Sequence, residues 1–362
     1  MRILVLNWKD MSHPAAGGAE VYTARITEQW VRTGHAVTLF CARVDGCPAE
    51  ETLNGVRILR QGGRFGVYAA ARRWFRKQVP RSFDVIVDQV NTRPFLTPRW
   101  RVDTPVVALI HQVCREIWSY EMPWPVSMLG RFVLEPWWLH SYRDTCTLTV
   151  SPSSSQSLAR YGLRAVHVVP EGVDTFTRPP VERAVEPTII YVGRLAGNKR
   201  PRDVIDAFKL VRSELPSARL WMVGDGRERP RLEAAAGPNV TFFGGVDDAT
   251  KHDLMARAHI LAITSVREGW GLVVDEAAAM GTPSCGYDVA GLRDSIPASR
   301  GVLTGPSPDG LATALVAQLR DRRESLPQRG WGGGAVPWPE VAATVLEYLR
   351  TAAADGCQKT PG

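Results

Sequence analysis

Glu268-Gly-Trp-Gly-Leu-Val-Val-Asp-Glu276, followed by Ala277-Ala-Ala-Met-Gly281-Thr-Pro283, is the stretch on which the fold and the function turn. An apolar run at 260–265 precedes it and has the length and composition of a buried strand. The residues after Gly271 have the character of a helix that carries the second glutamate. Eight residues are a little over two helical turns, so both glutamates would share a face if both were helical. Gly269 and Gly271 instead place Glu268 just ahead of the helix, at its positive end. Backbone N–H groups at a helix start suit a phosphate, and a carboxylate two turns on suits hydroxyl groups. The pattern therefore points to an enzyme handling the phosphates of a sugar nucleotide.

Working outward, the second half alternates strand and helix. Strands are expected over 188–192, 218–223, 240–243, 260–265 and 283–287, and helices over 201–215, 230–236 and 247–257. The first of these strands runs into Gly193-Arg194-Leu-Ala-Gly197-Asn-Lys199, whose two cations in a glycine-containing loop suit a diphosphate. Pro201 is well placed in the first turn of the helix that follows. Gly224-Asp-Gly226 is a second loop in which backbone can approach a ligand. No GxxxxGK[ST] loop occurs, which argues against ATP or GTP hydrolysis of that kind. A surface helix is expected over 309–323, a flexible stretch at 330–334, and a last amphipathic helix over 338–350 with Val341, Val345, Leu346 and Leu349 inward.

The first half repeats the alternation, with strands expected over 2–8, 36–41, 56–59, 83–88, 106–110, 147–151 and 166–170. Pro14 and Gly17-Gly18 precede a helix over 19–32, giving a βαβ unit whose glycine loop is either a ligand-approach loop or a plain tight turn. A full GxGxxG is absent, so a dehydrogenase-type dinucleotide fold is not supported. His111 directly follows the strand at 106–110 and should project at the carboxyl edge of the sheet, with Gln112, Arg115 and Glu116 beside it. A helix over 67–77 sets Val67, Ala71, Trp74 and Phe75 against Arg72, Arg73, Arg76 and Lys77. It suits a membrane surface, or a solvated face packed on its own sheet. The Trp-, Met- and Pro-rich run 118–140 reads as helical pieces forming an acceptor entrance or hydrophobic lid, or as core packing. Ser151-Pro-Ser-Ser-Ser155 caps another helix, and Thr177-Arg-Pro-Pro180 is the best linker in the chain.

At 362 residues the chain is too long for one ordinary core, and 44% hydrophobic with 22% charged residues describes a globular protein. No apolar run reaches membrane-spanning length, and Met1 to Trp8 reads as a buried strand rather than a leader because Lys9-Asp10 follows without a cleavage site. Six scattered cysteines show no CxxC pair, which suits free thiols in a reducing cytoplasm. The net charge of +7 favours anionic ligands or an anionic surface, and is a weak signal for nucleic acid. The expected organisation is an N-terminal domain over 1–174, onto which the resemblance given below implies that the last helix, 337–351, packs back. A C-terminal donor domain spans 175–336, and a disordered tail spans 352–362.

Taken in order, these motifs resemble the retaining GT-B glycosyltransferases of family 4, from Gly17-Gly18-Ala-Glu20 to Trp338-Pro-Glu340. The resemblance implies two Rossmann-like, doubly wound α/β domains facing one another across a cleft. It implies that Glu276 binds ribose hydroxyls, Glu268 lies by the donor sugar, and the backbone of Trp270, Gly271 and Leu272 lies by the diphosphate. Arg194 and Lys199 match the family's basic pair, and His111 matches a histidine that contacts the transferred sugar. Gly17 and Gly18 match the loop closing over the phosphates, Gly224 lies in the donor loop, and Val246 falls where the base rests. Three departures stand out: Glu171 where many relatives have Asn, Trp270 for a frequent Phe, and Thr264-Ser265 for Pro-Ser. The first bears on acceptor or inter-domain contacts.

The implied reaction takes a sugar from a nucleoside diphosphate, UDP or GDP, to an acceptor hydroxyl on a natural product, polysaccharide or lipid-linked intermediate. No metal or other cofactor is expected, since no Asp-x-Asp pair occurs and Arg194, Lys199 and a helix start can carry the leaving charge. Partners are the donor and acceptor, without nucleic acid, and with peripheral membrane contact through Val67 to Lys77 as the one surface candidate. A cytoplasmic location, with or without attachment to the inner face of the membrane, follows. The rival functions are a sugar-nucleotide epimerase on the same scaffold and a non-catalytic sugar-nucleotide-binding protein.

Overall fold

The computed structural model describes residues 1–79, 82–174, 181–321 and 336–355. The linker expected at 177–180, the glycine run at 330–334 and most of the C-terminal tail lie outside the described residues. The chain divides into two compact units. One comprises Met1–Arg115, Met128–Gly172 and Val336–Gly362, and the other Glu116–Ser127 and Val173–Ala335.

The first unit is built on an eight-stranded sheet. Its spatial order is Glu50–Leu53, Val56–Arg60, Ala36–Cys41, Arg2–Leu6, Val85–Gln89, Val106–Leu109, Cys146–Thr149 and Val166–Val168. All neighbours are parallel except the Glu50–Leu53 edge, which is antiparallel to Val56–Arg60. The central strands are continuous apolar runs because helices cover both faces; Ile3, Leu4, Val5 and Leu6 are all buried. The chain moves outward in both directions from Arg2–Leu6, so the sheet's switch point lies between that strand and Val85–Gln89. There Asn7 and Asn91, each just past a strand, are joined by a 2.8 Å hydrogen bond from Asn91 Nδ2 to Asn7 Oδ1. The edge strand was not legible as a strand, since Glu50-Glu-Thr-Leu53 is almost wholly exposed and lacks an apolar run.

Helix Val67–Phe75 buries its apolar side in the first unit. Val67 and Ala71 are buried, and Trp74 and Phe75 pack with Phe40, Phe95 and Trp100. Its apolar side therefore belongs to its own sheet, and Arg72, Arg73 and Ala69 face outward. The last helix, Trp338–Asp355, packs on helix Gly18–Arg32 of the first unit. Trp30 Nε1 donates to the Ala342 carbonyl at 2.9 Å, and Val341, Val345, Leu346 and Leu349 are buried. Trp338 lies edge-on to Tyr22 and flat against Gly172, where an added Cβ would meet its ring at 2.4 Å.

The second unit has a six-stranded, wholly parallel sheet. Its order is Val240–Gly244, Arg219–Val223, Thr188–Val192, Ile260–Ile263, Ser284–Tyr287 and Val302–Thr304. The switch point lies between Thr188–Val192 and Ile260–Ile263, the two strands whose carboxyl ends carry Gly193-Arg194 and Thr264 to Glu268. Residues 116–127, expected in the first domain, group with this unit instead. Arg267 Nε donates to Glu116 Oε2 at 3.0 Å, and Arg227 to the Tyr120 carbonyl at 2.9 Å.

Trp338→Ala is expected to destabilise the first unit by about 3–5 kcal/mol, because Tyr22 and Gly172 cannot collapse onto the space. Urea unfolding should show a lowered midpoint; an unchanged midpoint would contradict the packing.

Candidate functional site

In the second unit, the loop after Thr188–Val192 and the loop after Ile260–Ile263 are knitted together. Thr264 Oγ1 donates to the carbonyls of Lys199 and Arg200, both at 2.9 Å, and the Val266 N–H donates to Asn198 O at 3.0 Å. This brings Lys199 Nζ against Glu268 Oε1, to which Ser265 Oγ also donates at 2.6 Å. Both charges are mostly withdrawn from water, with side-chain exposures of 24% and 12%. Pairing offsets the desolvation that each would suffer alone. The loop's own shape is set by Tyr191, whose hydroxyl donates to the Arg194 carbonyl at 3.0 Å. Arg194 itself is exposed beside this cluster in sequence.

Of the glycines in the expected ligand-approach loops, Gly224 and Gly226 pack against backbone. A Cβ on Gly224 would lie 2.0 Å from the Gly193 carbonyl oxygen, so these two loops touch main chain to main chain. The Glu268 N–H donates to the Ala290 carbonyl at 3.0 Å, and a Cβ on Gly291 would meet Glu268 O at 2.4 Å. Gly291, at φ +86°, is thus a requirement of the Glu268 peptide's position.

Gly271, at φ +101°, turns the chain into helix Leu272–Ala279. The Val274 N–H donates to the Gly271 carbonyl at 2.8 Å and closes the first turn, and the helix start sets its positive end beside Glu268 and Trp270 in the chain. Trp270 Nε1 donates to Asp275 Oδ2 at 2.6 Å, and Ser299 Oγ to Asp275 Oδ1 at 3.2 Å, which fixes the indole and the first helical turn. Glu276 lies further along the helix and is joined at Oε1 by Lys251 Nζ at 2.9 Å. Burial raises the Glu276 carboxyl's pKa above the ordinary 4.5, and Lys251 opposes only part of that rise. The carboxylates of Glu276 and Asp248 in turn hold the Lys251 ammonium above the usual lysine value, against its own burial. Lys251 was not singled out from sequence; on helix Asp248–Arg257 it reads as one more surface lysine three residues from Asp248. Val246 is half-buried against a core cluster that includes Trp221 and Met255.

In the first unit, His111 is buried and follows Val106–Leu109 as expected. Its Nδ1 lies 3.2 Å from Glu171 Oε1, and its Nε2 lies 3.2 Å from Gln89 Nε2. Gln89 Oε1 receives the Thr23 hydroxyl, which leaves the amide nitrogen to donate. The network thus assigns the proton to Nδ1, donated to Glu171, with Nε2 accepting from Gln89. Tyr22 stacks edge-on against the imidazole at 5.0 Å, and Ser154 Oγ holds the His111 carbonyl at 2.8 Å. Gly17 and Gly18 begin helix Gly18–Arg32, and the Gly17 N–H donates to Glu20 Oε2 at 2.8 Å. The Glu20 carboxylate also takes Lys9 Nζ at 3.1 Å and Asn91 Nδ2 at 2.9 Å. In this unit Glu171, noted only as a departure, and the Lys9–Glu20 pair join Lys251 among the residues whose structural part sequence alone did not show.

Residues 16–176 match the Glycosyltransferase Family 4 model, and residues 186–321 match Glycosyl transferases group 1. The chain is 25% identical to a glycogen synthase of Mycobacterium tuberculosis, over 96% of this chain and 94% of the relative. Among solved structures, a sucrose-phosphate synthase from Thermosynechococcus elongatus superposes with a TM-score of 0.75 at 21% identity, over 98% of this chain and 99% of that one. An Anabaena protein solved in complex with UDP-glucose superposes at 0.72 with 19% identity, over 97% and 100% of the two chains. The architecture is that of the GT-B transferases.

Gly291→Ala is expected to cost more than about 1 kcal/mol, because neither the positive φ nor the Glu268 carbonyl leaves room for a methyl group. A thermal unfolding midpoint equal to that of the parent would show that the Glu268 peptide is not held this way.

Proposed function

Because the chain belongs to the group 1, family 4 glycosyltransferases, we propose that it moves a hexosyl group from a nucleoside-diphosphate sugar to an acceptor hydroxyl, with retention and without a metal. The observation that carries this proposal is the pairing of Lys199 with Glu268 at the sheet's switch point, immediately before the helix that bears Glu276. A nucleoside diphosphate leaves with two developing negative charges. Lys199, Arg194 and the start of helix Leu272–Ala279 are assigned to that charge. Glu276, whose Oε1 is held by Lys251, accepts the ribose hydroxyls. Glu268 is assigned to the donor sugar, where a carboxylate favours the oxocarbenium character of the transition state. For His111 we retain the contact with the transferred sugar, its ring held by Glu171.

Retention is written as attack on the face the leaving group departs from. The anomeric carbon–phosphate oxygen bond breaks, the acceptor oxygen–carbon bond forms, and the acceptor proton passes to the departing phosphate oxygen. No side-chain nucleophile is invoked. The donor nucleotide is UDP or GDP; an Anabaena protein of the same fold is solved with UDP-glucose, and a Mycobacterium tuberculosis relative is GDP-mannose-dependent. The acceptor is a natural product, polysaccharide or lipid-linked hydroxyl.

Lys199→Ala and Glu276→Ala are each expected to lower kcat/KM at least about a hundredfold with unchanged circular dichroism, in line with the loss of one preorganised charge. The assay follows diphosphate release from UDP- and GDP-sugars with and without acceptor; sugar isomerisation without diphosphate release would instead mark an epimerase, and parent-like rates in both variants would remove the assignment.

A pH dependence follows from Glu276. Its raised pKa means that the folded protein takes up this proton at a higher pH than an ordinary glutamate does, so the ionised acceptor is present above that point and lost as pH falls. The affinity for the best ligand among UDP, GDP, ADP and dTDP should weaken on acidification toward pH 4.5, by up to roughly tenfold per unit. Glu276→Gln should flatten the profile in isothermal titration; an unaltered slope would show that another group titrates.

A further inference from the structure

The run from Met128 to His140 is helical throughout, with a π-helical turn over Gly130–Leu134 followed by Glu135–His140. Its polarity is inverted. Gly130, Glu135, Trp138 and Leu139 are buried, whereas Leu129, Phe132, Val133 and Trp137 are 49%, 59%, 54% and 49% exposed. The buried Glu135 carboxylate accepts the Arg115 N–H at 2.9 Å and the Cys114 N–H, which pins this orientation. At spacings of three and four residues the four exposed side chains form one outward apolar ridge. An apolar ridge held outward by a buried polar anchor calls for an apolar partner.

The ridge is bordered by cations. Arg99 lies over the Trp137 ring at 4.2 Å and Arg131 over Phe132 at 5.1 Å. Arg99 also lines an open groove of about 630 Å³ with Arg72, Arg73, Arg76, Lys77 and Arg93. No carboxylate lines this groove, and among the described residues none of these six cations is ion-paired. The six exposed charges extend from helix Val67–Phe75 and the residues just after it to the apolar ridge.

We propose that this face docks on a lipid surface bearing anionic headgroups, with Leu129, Phe132, Val133 and Trp137 entering the headgroup–acyl boundary and the groove's cations meeting the headgroups. Charge complementarity selects this occupant. A second copy placed on the same face by twofold symmetry would set cation against cation. An anionic bilayer supplies hydrocarbon for the ridge and negative charge for the groove at once. Each exposed aromatic already lies beneath a guanidinium, an arrangement suited to the membrane–water interface. No helix among the described residues is long and apolar enough to cross a membrane, so the contact is peripheral.

Sedimentation of the full chain with vesicles of one part phosphatidylglycerol to two parts phosphatidylcholine tests this, independently of any transfer activity. Binding should weaken roughly tenfold or more in pure phosphatidylcholine, in high salt, in a Phe132→Glu/Trp137→Glu variant and in an Arg72→Gln/Arg73→Gln variant. All substituted side chains are exposed, and circular dichroism with light scattering accompanies each variant. Equal binding to neutral and anionic vesicles, or undiminished binding by either variant, would overturn the proposal. So would a dimer of the parent chain that Phe132→Glu dissociates, since the ridge would then be a contact between copies.

Discussion

A lysine and a glutamate from two different loops, both mostly withdrawn from water, must share one place at the carboxyl edge of the second sheet. That constraint organises the unit around it. Lys199 reaches Glu268 because Thr264 and Val266 hold the Lys199 loop by its backbone. Glu268 reaches Lys199 because Ala290 receives its N–H and Gly291 has no side chain to obstruct it. Removing either charge would strand the other in a poorly hydrated site, which costs more than the pair contributes. The result is a cation held, before any ligand arrives, beside the positive end of helix Leu272–Ala279. Preorganised charge of this sort would need no rearrangement to meet the diphosphate that the proposed reaction releases.

The first unit meets a comparable demand with hydrogen bonds rather than charge pairing alone. His111 is buried among Tyr22, Gln89 and Glu171, and each ring nitrogen has a partner that determines its proton. Glu171 is a carboxylate that can only accept, and so it keeps the proton on Nδ1. Beneath it, Trp338 fills the space that Gly172 leaves, so the chain's last helix supports the same region that bears Glu171. Two residues distant in sequence thereby steady one imidazole.

Much of this was legible before any coordinates. The apolar runs Arg2–Leu6, Val106–Leu109, Thr188–Val192 and Ile260–Ile263 announce strands buried on both faces, because such strands need no polar alternation. The loops bearing Gly17-Gly18, His111, Arg194, Lys199 and Glu268 follow strands in the chain, which places them at carboxyl edges by connectivity alone. What escaped has physical reasons. Glu50–Leu53 has almost no buried side chain to mark it. Lys251 joins Glu276 across two helices, a contact that depends on how helix Asp248–Arg257 packs on helix Leu272–Ala279. Residues 116–127 follow a first-unit strand in the chain, yet group with the second unit through Glu116 and Tyr120. Local composition carries none of these.

The amino-acid sequence by itself determined the alternation of strand and helix, the positions of the glycine-containing loops and the family pattern from Glu268 to Glu276. These depend on side-chain periodicity and on residues adjacent along the chain. Tertiary structure alone decided which face of each helix meets water. It turned the apolar side of Val67–Phe75 inward, and it set Leu129, Phe132, Val133 and Trp137 outward within a run whose sequence suited a lid or core packing equally. It also decided the partners of the buried charges: Lys199 with Glu268, Lys251 with Glu276, and His111 with Glu171. The physical reason is common to both. Burial and pairing are properties of the space between elements, and periodicity describes only one element at a time.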